Sequence, residues 1–244
     1  MKGEDYLHKY LRVAQEIYQN IEKNDLKHGD KLPTVKKLME EYDASKSTII
    51  TALDLLNKNG IIYQVRGSGI FVRRVERKGY ISLSNRGGVA RELKEFDVEN
   101  VIVKNELITP DDSIRYHLEI TDPDTKVQYI NRVTYINSQI LVVEHSYYNN
   151  DLIPWISEES IKKSIFDYIM NELDIRINYS NKFFRIVKLN EENAKLMGQE
   201  KGDPTLMFEE YYYMNDGVPF DYSNMYYNHE VAQFFMFSDN VIPN

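Results

Sequence analysis

The chain has 244 residues, too many for one minimal domain and too few for three at a usual size of roughly 100–150 residues each. Hydrophobic residues at 42% and charged residues at 28% can build ordinary cores, which excludes wholesale disorder; the absence of cysteine excludes disulfides, thiolate metal sites and a cysteine nucleophile. No apolar run approaches the ~18 residues of a membrane span, and the first residues lack the apolar stretch of a signal peptide, so a cytoplasmic chain with no membrane partner is expected.

The net charge of −8 argues against nucleic acid until it is divided along the chain. Residues 1–78 carry 15 Lys and Arg against 11 Asp and Glu, and the remainder carries 15 against 27. A basic first part and an acidic second part predict a polyanion partner for one and a different task for the other.

Leu7, Tyr10, Leu11, Ala14, Ile17, Tyr18 and Ile21 recur at three- and four-residue steps and predict a helix from about Tyr6 to Asn24. Thr34 is a plausible N-cap for a short second helix containing Val35, Leu38, Met39 and Tyr42. Ser45 can cap a third, in which Ile49, Ala52, Leu53 and Leu56 form an inward stripe, Lys46, Ser47, Ile50 and Thr51 lie toward the other side or its margin, and Asn59-Gly60 closes the end. Two short helices so closely joined predict a helix-turn-helix. Ile61–Val65 and Ile70–Val72 are β-rich runs around Arg66-Gly67-Ser68-Gly69, a hairpin wing. Backbone amides and the guanidinium at Arg66, Gly67 and Ser68 suit phosphate, and Arg73, Arg74, Arg77 and Lys78 follow. A winged helix of this kind that recruits protein is the alternative reading.

Leu32-Pro33-Thr34, then Ser45-Lys46-Ser47-Thr48-Ile49, then the Arg66–Val72 wing resemble, in that order, the GntR family of bacterial transcription regulators, specifically its HutC-type members. The resemblance implies double-stranded operator DNA as partner, a homodimer on two half-sites, and DNA-contacting positions at Lys36, Lys46, Ser47, Thr48 and Gly67. Lysine stands at 36 and 46, and isoleucine at 50, where the family commonly has arginine. Lysine lacks the bidentate fork that reads guanine, so a different operator sequence is expected.

Residues 76–90 carry few large apolar groups and read as a linker between a winged domain at 1–75 and a second domain at 91–240. Beyond it, Val101–Val103, Val127–Ile136, Ile140–Tyr148, Lys182–Lys188, Leu206–Met214 and Asp221–Tyr227 have strand composition, with hairpin turns at Asn137-Ser138 and Asn215-Asp216-Gly217. Ser164–Leu173 and Glu191–Met197 read as helices, the second ended by Gly198. The fold class is α+β with an antiparallel sheet. Glu144-His145-Ser146 and Asp221-Tyr222-Ser223 occupy matching places in two similar hairpins. That likeness is either chance or a pseudo-symmetric sheet whose carboxylates and serines face one cleft.

Asn131–Asn137, Val143–Tyr148, Lys163–Ile169 and Val218–Ser223 with Tyr226-Tyr227 resemble the UTRA effector domain, whose fold is similar to chorismate lyase. The resemblance implies effector-contacting positions at Arg132, Glu144, Ser164, Asp221 and Tyr227, and the chemistry of those residues favours an anionic, hydroxylated small-molecule effector, a phosphorylated sugar. A second arginine found in some sugar-phosphate sensors falls on Thr134 here. Arg132, on an apolar strand face, needs an anion, which is either a ligand or Glu144. Ser164 is either an anion site at a helix start, beside Lys162 and Lys163, or a plain N-cap. A non-sugar metabolite and a lyase-like enzyme are the alternatives to a repressor of carbohydrate-utilisation genes. His8, His28, His117, His145 and His229 show no metal-ligand spacing, and no catalytic group, metal or cofactor is expected.

Overall fold

Helix α1 (Lys2–Lys23), α2 (Val35–Glu41) and α3 (Lys46–Lys58), with the hairpin β1 (Ile62–Val65) and β2 (Gly69–Val72), build the first of two compact units. The structure, a computed structural model, describes residues 2–73, 79–83, 93 and 96–236; Arg74, Arg77, Lys78 and most of the 76–90 linker lie outside the described residues. Residues 1–78 with 235–244 form one unit, and 79–234 the other.

In the first unit α1 buries Val13, Ala14, Ile17 and Ile21. Leu11 is 44% exposed, contrary to the periodic reading, because at about 100° per residue it lies some 120° around the helix from Ile17. The α3 stripe of Ile49, Ala52, Leu53 and Leu56 is buried as its spacing predicts and joins Leu38, Ile62, Ile70 and Val72 in one core. Thr34 Oγ1 accepts from the Lys37 amide and Ser45 Oγ from the Thr48 amide, so both caps form where their sequence positions call for them. Val65 pairs with Gly69 across the wing tip, where Gly67 takes φ +80°, open to glycine at no steric cost. The loop ahead of α2 is tied to the wing by backbone: the Leu32 amide donates to Ile70 O, and the Val72 amide to Asp30 O.

The second unit starts with β3 (Tyr80–Ser82), inside the segment read as linker, which pairs with β10 (Gln233–Phe235). Its body is a six-stranded antiparallel sheet of β4 (Val98–Ile108), β5 (Val127–Ile136), β6 (Gln139–Asn149), β7 (Tyr179–Lys188), β8 (Pro204–Tyr213) and β9 (Pro219–Tyr227), in the order β4-β5-β6-β9-β8-β7. Asn137 and Ser138 both take positive φ, the two-residue turn whose twist matches the strands it joins. Gly198 takes φ +69° and ends the helix Glu191–Met197 as expected.

Two helices had no counterpart in the sequence reading: α4 (Asp112–His117) and α5 (Glu158–Lys163). Each has six residues, less than two turns, too short to display a period. The predicted helix at 164–173 is a single turn, α6 (Ile165–Asp167), continued by a π-helical turn at Tyr168–Glu172. The helix Glu191–Met197 is α7. Ile130, Tyr148, Phe166, Ile169, Tyr212 and Phe220 pack these helical turns onto one face of the sheet.

Leu53 is 1% exposed at the centre of the first core. Leu53→Ala is expected to lower unfolding free energy by about 2–5 kcal/mol, read from the urea midpoint at constant slope.

Candidate functional site

On α3 the cap decides which residues face solvent. Ser45 Oγ receives the Thr48 amide and lies 2.8 Å from Thr48 Oγ1. Thr48 is 2% exposed, so it fastens the start of the helix and presents nothing to a partner, unlike the expectation for it. Lys46, Ser47 and Ile50 are exposed on α3, Lys36 on α2, and Arg66, Gly67 and Ser68 at the wing tip. Ile50 is 41% exposed; a thymine methyl is the base feature that an apolar side chain reads in the major groove. Of the basic residues after the wing, Arg73 lies 5.8 Å over the Tyr63 ring.

The second unit holds a small open cleft on the sheet face beneath α6. Its floor follows from strand alternation. Residues i and i+2 share a face, so Glu144 and Ser146 on β6, and Asp221 and Ser223 on β9, project to the same side. In the β6–β9 register Ser146 stands opposite Ser223, and the two hydroxyl oxygens are 2.9 Å apart. Ser146 Oγ lies 2.6 Å from Glu144 Oε1, and Ser223 Oγ lies 2.6 Å from Asp221 Oδ1. The likeness between the hairpins is therefore a local twofold arrangement about the serine pair.

The flanking strands break that symmetry. Arg132 on β5 is directly opposite Glu144 and donates from both Nε and Nη2 to Oε2, each at 2.7 Å. Asp221 is opposite Tyr212 on β8, and Tyr212 donates its hydroxyl to Glu210 at 2.8 Å. Lys182 on β7 pairs with the other Glu210 oxygen at 3.2 Å. Burial depresses the Arg132 pKa, but the Glu144 carboxylate outweighs it and keeps the guanidinium charged. Burial also holds the Tyr148 and Tyr212 phenols protonated, and the nearby Glu144 and Glu210 carboxylates reinforce it. Phe166, Phe208, Met225 and Tyr227 supply apolar wall, and Ile81 and Leu83 close one side.

Arg132, Glu144, Asp221 and Tyr227 thus come together, as the sequence suggested. Ser164 is not in the cleft wall; its Oγ accepts the Asp167 amide as a helix cap. Lys162 and Lys163 are exposed beside Glu158 and Glu159. Thr134 donates to Asn100, which in turn donates to Lys162 O. Sequence reasoning missed Lys182 and Glu210, because neither stands in a distinctive motif and only the β7–β8 register makes them a pair. His145, next to Glu144 in sequence, lies on the opposite face, bonded to Tyr129 and Asn193 in an aromatic layer with Tyr147, Tyr222 and His117.

Known proteins agree with both halves. The pattern of the bacterial regulatory proteins of the gntR family matches residues 9–72, and that of the UTRA domain matches residues 95–233. An uncharacterized HTH-type transcriptional regulator, YydK of Bacillus subtilis (strain 168), is 40% identical over 93% of this chain and 95% of its own length. The crystal structure of YydK from the same species superposes with a TM-score of 0.85 at 39% identity, covering 94% of this chain and 100% of that one. The mannosyl-D-glycerate transport/metabolism system repressor MngR of Escherichia coli (strain K12) is 26% identical over 92% of this chain and 93% of its own.

Glu144→Gln removes the carboxylate that neutralises a guanidinium only 12% exposed. The variant is expected to lose about 3–5 kcal/mol of stability in urea unfolding, the cost of an uncompensated buried charge.

Proposed function

The chain belongs to the GntR family of bacterial regulatory proteins, with a UTRA domain behind the DNA-binding domain, and from that premise we propose that it represses carbohydrate-utilisation genes and is released from its operator by a hydroxylated small molecule bound in the cleft. It is a transcriptional regulator; the finer reading rests on one observation above all. Three carboxyls, two serine hydroxyls, an arginine and a lysine converge on one sheet face beside an aromatic wall, donors and acceptors in the mixture that sugar hydroxyls need. MngR, a repressor of a mannosyl-D-glycerate transport and metabolism system, supports the same class and the same sign.

In this reading the chain acts as a homodimer. Two winged helices meet half-sites of a near-palindromic operator, with Lys46, Ser47 and Ile50 toward base edges and Lys36, Arg66, Gly67 and Ser68 toward phosphates. Effector binding shifts the balance between DNA-competent and released states by a coupling of about 1–3 kcal/mol. No step of the proposal needs turnover. The sugar part of the expected sugar phosphate is the part the cleft favours, because Arg132 is closed on Glu144 and Ser164 serves as a cap.

The test is an anisotropy titration of an operator selected from random DNA, with a panel of sugars, their phosphates and amino-acid derivatives. An active compound is expected to weaken operator binding by roughly 5–150-fold; a panel in which amino-acid derivatives release DNA and sugars do not would overturn the carbohydrate class. Lys46→Ala is expected to weaken operator binding and reduce the slope of log K against log salt by about one. An unchanged slope and affinity would remove Lys46 from the interface.

A further inference from the structure

The line of oxygen atoms across the cleft floor holds one contact more than its hydroxyls can supply with protons. Glu144 Oε1, Ser146 Oγ, Ser223 Oγ and Asp221 Oδ1 make three successive contacts of 2.6, 2.9 and 2.6 Å. Each is a hydrogen-bond distance and each needs one proton, but two serines carry two. The third proton must sit on a carboxyl at one end. Glu144 is the ionised end, since its other oxygen takes two N–H groups from Arg132. Asp221 is 1% exposed, and among the described residues no cation pairs with it.

Building on the reading of this cleft as the effector site, we propose that Asp221 stands as a carboxylic acid donating to Ser223, at the head of a one-way chain of hydrogen bonds Asp221→Ser223→Ser146→Glu144, and that the cleft accordingly receives an uncharged, hydroxyl-bearing effector, an unphosphorylated sugar or glycoside. Charge counting agrees with proton counting. Arg132 and Lys182 balance Glu144 and Glu210, so a neutral Asp221 leaves these five groups with no net charge. The groups facing Asp221 are Glu144 and Tyr148 from β6, Glu210 and Tyr212 from β8, and Arg132 from β5; the two glutamates favour the neutral acid and Arg132, closed on Glu144, favours the carboxylate. Burial raises its pKa well above the usual carboxylate range; the Ser223 hydroxyl pulls the other way, and the two glutamates push it further up.

Both cations of the described lining are already matched by carboxylates. Arg132 spends Nε and Nη2 on Glu144 and Nη1 on the Ile161 carbonyl at 3.3 Å, and Lys182 is held by Glu210. A phosphate would enter a balanced low-dielectric site as surplus negative charge, a large desolvation cost without a counter-ion. Sugar hydroxyls donate and accept at once, and they match a floor made of one acid, two carboxylates and two alcohols without disturbing its charge.

Infrared difference spectra between the wild type and Asp221→Asn, taken without added ligand at neutral pH, test the proton directly. A protonated-acid carbonyl band present only in the wild type is expected; its absence overturns the assignment. Unfolding against pH gives a second readout. The folded state keeps a proton that the unfolded chain releases above pH about 4, so wild-type stability falls relative to Asp221→Asn as pH rises, up to tenfold in the ratio of unfolding constants per pH unit. Parallel curves from pH 5 to 8 would count against a neutral Asp221. For the ligand class, inorganic phosphate is expected to leave the carbonyl band unmoved. A saturable change, absent with chloride at matched ionic strength, overturns the uncharged class, as does operator release by phosphorylated sugars alone. Release that survives intact in Leu83→Trp, which fills the cleft mouth, would remove the cleft as effector site and leave the infrared result standing.

Discussion

The pairing of β6 with β9 is the constraint on which the second unit turns. It joins two hairpins 77 residues apart into one sheet, and its register sets Ser146 against Ser223. A one-residue slip of either strand would send its own acid–serine pair, Glu144 and Ser146 or Asp221 and Ser223, to the opposite face and bring His145 and Tyr147, or Tyr222, into the cleft. The two faces are chemically unlike, one a chain of acids and alcohols and the other an aromatic layer, so each resists the slip. The same register defines the candidate binding floor and helps to hold the fold.

Symmetry supplies the floor and its breaking supplies the function argued for it. The two hairpins contribute equivalent carboxyl–serine pairs, but only Glu144 meets a cation across its strand neighbour; Asp221 meets Tyr212. Burial then treats the two acids differently, because an ion paired at 2.7 Å tolerates a low dielectric and a lone carboxylate does not. Unequal surroundings make one member an acceptor and the other a donor, a polarity that a hydroxylated ligand can read.

In the first unit the helix caps do comparable work. Ser45 fixes where α3 begins, which turns Thr48 inward and leaves Lys46, Ser47 and Ile50 outward. The wing is laced to the loop before α2 through backbone hydrogen bonds, so its glycine-rich tip belongs to the same body as the helices. The acidic surplus lies in the other unit, where a negative surface discourages close approach to DNA.

Much of this was legible in the residues. Period and caps gave the three helices and the wing, turn chemistry gave both hairpins, and the repeated Glu-x-Ser and Asp-x-Ser gave the paired floor, because these signals are local and each is repeated within a few residues. Leu11, Thr48 and the strand Tyr80–Ser82 were misjudged for want of knowing what packs beside them, and of the two readings left open for Ser164 the structure shows the cap. Short helices α4 and α5 carried no periodic signal at all. The sequence by itself determined the order of elements, the division of charge and the family they belong to. Only the tertiary structure decided that Arg132 closes on Glu144, that Lys182 and Glu210 join the site, and that Asp221 is left without a counter-ion, since strand register and burial bring together residues too far apart in the chain for any local pattern to relate them.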